Sequence, residues 1–422
     1  MTRTTRSRLI LFAVVLAAVG ATGPADPAAG RQAEVALTGA TAVDVGDDHT
    51  CARLSTARVR CWGDNDNGQL GNNSVLDSDV PVTVLNLAGG GPLTGVSTVV
   101  AGDDHSCARL ANGQARCWGD NDNGQLGNNS TADSDLPVTV LNPAGTAPLT
   151  GISQLAAGED QTCARLTTGQ ARCWGQNNNG QLGDNTTTGR DTPRVVVGVG
   201  GSGALTGVAR VGTGETHSCA LLTSGQVRCW GDNSFGQVGD RTTTNRPGPV
   251  VVKRSDGPGA LTGVTQLTTG ENHTCARLGS GQARCWGQNA QGELGDGTTS
   301  VTLAPAPVAN GGGDGNLAGV SQLEGGAGTT CARLTTGQVR CCGDNDNGQI
   351  GDGTIVSRRL PVTTRNPGDT GPLTSIAAVA SGDAHTCALT SNGQVRCWGD
   401  NDNGQLGDDS IVDSPLPVVV QA

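Results

Sequence analysis

Short apolar runs alternate with polar, glycine-rich stretches along nearly the whole chain, and the alternation has a single period. Leu37, Leu93, Leu149, Leu205, Leu261, Leu317 and Leu373 stand 56 residues apart, and Pro81, Pro137, Pro193, Pro249, Pro305, Pro361 and Pro417 keep the same step. No insertion or deletion interrupts the register. Each unit carries four strand-like pieces. In the second unit they are Leu93 to Val100, His105 to Leu110, Ala115 to Trp118 and Pro137 to Val140. Turns at Ala111-Asn112-Gly113 and from Gly119 to Gly127 separate them, where Gly and Asn suit left-handed backbone. A proline opening a strand is tolerated because no ladder N–H is needed there. No apolar period of helical type runs for a useful length outside the N-terminal segment.

Four strands in a unit of this length is the pattern of a propeller blade, whose faces are buried only by its neighbours. Seven copies suit a closed ring, since neither end of the array reads as a polar cap. The expected fold is all-β: a seven-bladed β-propeller, four antiparallel strands per blade, over residues 37–422, with units starting at 37, 93, 149, 205, 261, 317 and 373. The string GxxH(S/T)CARLxxGQxRCWGxNxxGQLG, read in the second unit from Gly102 to Gly127, resembles the repeat of the regulator of chromosome condensation family. The resemblance covers about residues 37–422. It implies a seven-bladed ring, often with the first and last strands sharing one blade, although the repeat itself leaves that phase open. With the export signals below, the chain resembles a secreted, bacterial-type member.

Composition fits this picture. Of 422 residues 67 are Gly and 18 Pro, while only 35% are hydrophobic and 2% aromatic, which favours many thin apolar layers over one large core. The formal charge is −11 and Lys253 is the sole lysine, which argues against nucleic acid or an anionic membrane as partner. At the N-terminus Arg3, Arg6 and Arg8 precede the apolar run Leu9 to Val19, too short for an ordinary membrane span, and Ala18, Gly20, Ala21 and Gly23 offer small residues for cleavage. Residues 1–30 are therefore expected to be a signal peptide and a flexible mature N-terminus. The expected location is extracellular or in the cell envelope, with no membrane association once the signal is removed.

The cysteines follow the repeat. Pairing Leu110 with Gln114 across the hairpin turn sets Cys107 opposite Cys117, within disulfide reach, and an exported chain meets an oxidising compartment. One disulfide per repeat is expected: Cys51–Cys61, Cys107–Cys117, Cys163–Cys173, Cys219–Cys229, Cys275–Cys285, Cys331–Cys341 and Cys387–Cys397. Ten-residue spacing lacks the close knuckle of a zinc site. Intracellular members of the family generally do without these pairs. The fifteenth cysteine, Cys342, occupies the slot of Trp62, Trp118, Trp174, Trp230, Trp286 and Trp398. It reads either as drift at a packing position or as a free thiol for cross-linking or redox sensing, and the first is preferred. Neighbours on a strand point to opposite faces, so disulfide and Trp are expected on opposite faces of each blade, where stacking buries both.

His49, His105, His217, His273 and His385 share one slot, filled by Gln161 and Thr329 in the other two units. A structural hydrogen bond inside each blade is preferred to a metal site or pH switch. The acidic turn Gly119 to Gly127 misses the calcium-loop spacing: its glycine comes a residue early and no closing glutamate follows. Asn65, Asn121, Asn177, Asn233, Asn289, Asn345 and Asn401 recur in it as turn residues. No metal and no cofactor are expected.

Function is expected in the connections that vary between units. Two basic sets stand out against the acidic background: Arg241, Arg246, Lys253 and Arg254, and Arg358, Arg359 and Arg365. They form the candidate binding patch, weighed against plain surface variation. No catalytic motif stands apart from the repeat, so an enzyme is not expected. The expected function is a secreted, monomeric scaffold that binds a protein through variable loops. The alternatives are an inhibitor of an extracellular or periplasmic enzyme, which wants an aromatic open face, and a lyase or hydrolase with a carboxylate-lined site in the ring channel.

Overall fold

Period-two alternation inside each unit produces strands, and the short turns between them produce an antiparallel meander. The structure, a computed structural model, describes residues 35–422. The expected export segment, residues 1–30, lies outside the described residues. In the first blade, β1 (Ala40–Val45), β2 (His49–Leu54), β3 (Val59–Gly63) and β4 (Ser78–Thr83) pair in sequence order. Six further blades repeat this at the 56-residue step, the last strand being Ser414–Val419. The fold is the seven-bladed all-β propeller that the repeat predicts.

Ring closure uses no exchanged strand: every sheet takes its four strands from one continuous stretch of chain. A short bridge links the end of each unit to the start of the next, as in Leu85 with Pro92 and Leu141 with Pro148. The seventh copy of that bridge joins the two ends of the propeller, Ala36 with Gln421, and Leu37 N–H donates to Val420 O at 2.8 Å.

Two strand limits differ from the sequence expectation. In the second blade the first strand starts at Val96 rather than Leu93, because Leu93 is held in the inter-blade bridge by its N–H to Val84 O. The fourth strand starts at Ser134, three residues before Pro137. Its pairing with the third strand is interrupted between Cys117 and Gly119, and Pro137 sits in that irregularity on the outer edge strand. A proline lacks a ladder donor, and a bulged edge strand needs none there.

The core lies between blades. Each of the seven hairpins carries its disulfide, with Cα atoms 4.1 Å apart, and Cys107 is in register with Cys117. The Cys51 and Cys61 of blade one pack in the same cluster as Trp118 of blade two. The closure repeats this with Cys387, Cys397 and Trp62. All six indoles are fully buried, on the blade face opposite the disulfide. Glycine is required where blades approach. A Cβ on Gly102 would lie 2.4 Å from Gly158 O of the next blade, and one on Gly127 would lie 2.6 Å from the Trp174 indole nitrogen.

Candidate functional site

The residues that recur from unit to unit are consumed by the ring itself. His49 Nε2 lies 2.7 Å from Ser106 Oγ of the next blade, and His105, His217, His273 and His385 meet Thr162, Thr274, Thr330 and Thr50 in the same way at 2.7–2.8 Å. The Ser106 hydroxyl donates back to Gln69 O at 3.0 Å, and the Trp118 indole donates to that carbonyl at 2.8 Å. With the hydroxyl proton used, the imidazole Nε2–H is the donor to Oγ. These bonds run between blades, whereas the sequence reading placed them within each blade. Burial is the main cause that holds the rings neutral: His49 and His217 are lowered to about 4, and His105, His273 and His385 to about 3. In blade three Gln161 donates to Gly214 O at 2.7 Å instead. The recurrent asparagine ties the long β3–β4 connection together. Asn65 accepts from Leu70 N–H and donates to Ser74 O and Leu76 O, all at 2.9 Å.

Polar groups that break the repeat meet at two places. The first is the ring axis. Glu324 of blade six is pushed up to about 8, mainly by burial, with the Asp44 carboxylate of blade one adding to the shift and the Arg210 guanidinium of blade four opposing it. Blades one, four and six are not neighbours, so their side chains interact only across the centre. Asp44, raised to about 7 by burial, accepts Ala101 N–H of blade two at 3.0 Å. Glu324 accepts from Gln322 at 2.8 Å, and Gln322 donates to Val379 O of blade seven at 2.9 Å. The axial carboxyls thus tie inner strands together.

The second place is the end of the ring where the β1–β2 and β3–β4 connections emerge. Here Asp64, Asp66 and Asp77 bring one carboxylate oxygen each within 4.8 Å of one another, and so do Asp120, Asp122 and Asp133, and Asp400, Asp402 and Asp413. Burial first, then the neighbouring carboxylates, raise Asp64 and Asp400 to about 6 and Asp48 to about 8. The third aspartate of each triad comes from the variable part of the connection, outside the turn that sequence reasoning weighed for calcium. A column-by-column comparison of the units would have exposed it, and Asp44 and Glu324 too.

The two basic sets are not brought together, because blade five separates them. Arg246 is paired with Asp240 at 2.6 Å, Arg254 with Asp256 at 2.8 Å, Arg358 with Asp352 at 2.6 Å and Arg365 with Asp369 at 2.7 Å. Arg241 donates to the carbonyls of Arg254 and Gly257. Arg358 and Arg365 line an open groove of about 720 Å³ on blade six with Arg340 and Asp352. Among the described residues Arg359 and Lys253 make no ion pair.

Comparison with known proteins agrees with this architecture. The model of the RCC1-like domain matches residues 18–311, and that of the regulator of chromosome condensation repeat matches 320–349 and 376–405. The chain belongs to the RCC1-like family. It is 29% identical over 384 residues to the ultraviolet-B receptor UVR8 of Arabidopsis thaliana, covering 90% of this chain and 81% of that one. It is 28% identical to the E3 ubiquitin-protein ligase HERC2 of Mus musculus over 87% of this chain but only 7% of the ligase. Among solved structures, Prp20p of Saccharomyces cerevisiae aligns with TM-score 0.69 at 20% identity, covering 89% of this chain and 86% of that one, a likeness of fold.

Within this RCC1-like ring one interface departs from the others. Cys342 stands where the other blades carry Trp, and its Sγ lies 3.7 Å from the Glu293 carbonyl. Burial, with Glu293 and Asp296 nearby, pushes its thiol far above the usual range. A buried thiol held protonated is a packing group; nucleophilic or redox chemistry needs thiolate. Glu293 itself replaces the glutamine of the other six units, and its Oε1 is buried with no partner among the described residues.

Proposed function

We propose that this RCC1-like propeller is an exported, non-catalytic scaffold that binds a protein through the connections that differ between its blades. One observation carries the reading. The recurrent His, Asn, Trp and cystine residues are bound into the framework, and variation is confined largely to the axis and the exposed connections. A rigid ring with variable loops is the arrangement in which loops carry recognition. Related propellers point the same way, since Prp20p is described by its binding to Gsp1p and histones. The catalytic activity named for HERC2 does not transfer, because the match spans only 7% of that protein. Seven disulfides and the apolar N-terminal run support export. The acidic, lysine-poor composition argues against nucleic acid and anionic membrane. An inhibitor with an aromatic open face has less support: all six Trp are buried, and among the described residues Phe235 is the exposed aromatic.

The test is capture from the source cells' own envelope and culture fluid on the oxidised protein, with reduced, unfolded protein as control. A partner held only by the oxidised ring supports the scaffold. Absence of any such partner in both fractions refutes it. Arg359→Ala with Lys253→Ala then asks whether the candidate basic patch takes part.

A further inference from the structure

The repeat provides an internal control, because each position is seen seven times. Read this way, one pair of positions in the β3–β4 connection is aliphatic in three consecutive blades. Ile355 and Val356 of blade six are 63% and 57% exposed, Ile411 and Val412 of blade seven 63% and 69%, and Val75 and Leu76 of blade one 53% and 74%. The other blades carry Thr131-Ala132, Thr187-Thr188, Thr243-Thr244 and Thr299-Ser300 there. Single exposed aliphatics need no explanation, but a run of them at one place on adjoining elements marks a contact surface. The three pairs are stitched together by backbone. Gly353 N–H in the connection of blade six donates to Pro415 O of blade seven at 3.1 Å, and Asp409 N–H of blade seven donates to Asp79 O of blade one at 3.2 Å.

Charge follows the same arc. The three aspartate triads belong to blades seven, one and two, and Asp413 and Asp77 directly follow Val412 and Leu76. Blade six adds Asp344 and Asp346. Gln405 donates to Asp400 of its own blade at 2.5 Å and across the seven–one boundary to Asp48 at 3.1 Å; Gln69 donates to Asp64 of its own blade at 2.5 Å and across the one–two boundary to Asp104 at 3.4 Å. In blades three to five the triad positions hold Gln176, Asn178 and Gly189, then Asp232, Ser234 and Asn245, then Gln288, Ala290 and Val301. The ring is therefore polarised. Arg359 marks the edge of the arc, its backbone packed against Gly292 of blade five.

We propose that the arc over blades six, seven, one and two is a docking surface for a cationic protein segment that presents aliphatic side chains beside Lys or Arg. The inference rests on the scaffold reading and names its surface and its partner's chemistry. The aliphatic pairs supply apolar area to bury, and the flanking carboxylates select positive charge and repel acidic partners. An anionic bilayer is repelled by the same carboxylates.

A labelled synthetic peptide of Lys and Leu tests this, with Lys/Ser and Glu/Leu peptides of equal length beside it. Binding to the oxidised protein is followed by fluorescence anisotropy at two salt concentrations. Three variants are compared: L76S/I411S/V412S in the arc's apolar part, D66N/D122N/D402N in its acidic part, and F235S/V301S on blades four and five. Circular dichroism confirms that each is folded. The expected result is binding of the Lys/Leu peptide, weakened about tenfold or more by either arc variant and by added salt, and unchanged in the control variant. The Lys/Ser and Glu/Leu peptides bind far more weakly. No binding by the native protein, equal loss in the control variant, or equal binding of the Glu/Leu peptide overturns the arc. Capture of a natural partner undiminished by both arc variants also overturns it and leaves the scaffold standing; failure of capture by the native ring is the separate failure of the scaffold.

Discussion

Replacing His105 with glutamine tests whether the buried imidazoles govern acid stability. The ring is fully buried, with Nε2 2.8 Å from Thr162 Oγ1, and its pKa falls from 6.5 to about 3. Because the native value lies below the unfolded one, the unfolded chain binds the proton more readily. Stability is therefore full above pH 6.5 and is lost as pH falls towards the native pKa. At about 1.4 kcal/mol per pH unit, His105 alone withdraws about 3 kcal/mol between pH 6.5 and pH 4. Glutamine does not titrate, and Gln161 shows how it fits the slot, donating to the carbonyl of the next blade's glycine. At pH 7 His105→Gln is expected to cost about 1 kcal/mol for the lost bond to Thr162, which keeps its own bond to Gln125 O at 2.8 Å. At pH 4 the variant is expected to be the more stable protein. Urea unfolding of both proteins at pH 7, 5.5 and 4, disulfides intact, measures the difference. The raised carboxylates are common to both proteins and cancel in the comparison. A stability difference that does not change with pH, or an imidazole NMR titration near 6.5 in the folded protein, refutes the reasoning.

Four further outcomes are expected. Cys342→Trp restores the indole of the other six blades, with Glu293 O placed to accept its N–H, and should raise the urea midpoint by an amount equivalent to about 1–3 kcal/mol; a fall would mean that neighbours have closed over the slot. Cys107→Ala with Cys117→Ala removes a ten-residue cross-link and should cost about 2–3 kcal/mol, so an unchanged midpoint would deny the disulfide its role. Glu324→Gln should gain on the native protein as pH rises from 5 to about 8, because Glu324, raised to about 8, keeps its proton inside the ring while the carboxyl of the unfolded chain ionises, so its stabilising contribution is withdrawn across that window; a flat difference in thermal midpoint would contradict its axial burial. In native-state hydrogen exchange, amides at the junction of blades five and six should open before those at the joined ends, and the reverse order would show closure to be the weaker contact.

What could be read in the sequence is what recurs. A disulfide needs only the hairpin register, and Cys107 opposite Cys117 follows from one turn. Trp118 beside Cys117 must face the other way on a strand, which places disulfide and indole on opposite blade faces. What could not be read needs the closed ring. Asp44, Arg210 and Glu324 lie far apart in sequence, on blades that meet only at the axis. Each looks like local drift until closure brings them together. The basic sets show the converse. Arg246 and Arg358 stand out in sequence as unbalanced charge, yet each folds onto an aspartate six residues earlier, Asp240 or Asp352. The histidines misled in direction alone: their slot reads as a hydrogen-bonding position, but a one-unit view hides that the acceptor belongs to the next blade.

The distribution of departures from the repeat carries the remaining argument. A ring of similar interfaces gives no way at its weakest contact ahead of its seam unless one contact is poorer than the seam. Here the seam is complete: Trp62 donates to Gln405 O at 2.9 Å, Thr50 meets His385 at 2.7 Å, and the terminal bridge is added. The contact between blades five and six lacks the indole and its hydrogen bond, and substitutes a buried carboxyl for the glutamine. The joined ends, though they are ends, are therefore the better-held side of the ring. The proposed arc is centred on that seam: the seven–one and one–two interfaces beneath it keep both the indole and the histidine bonds, while at six–seven Thr329 stands in the histidine slot and meets Ser381 at 3.1 Å. The docking surface is thus centred on the best-held junction of the ring, and the packing defect at Cys342 lies at the arc's far edge, where blade six meets blade five.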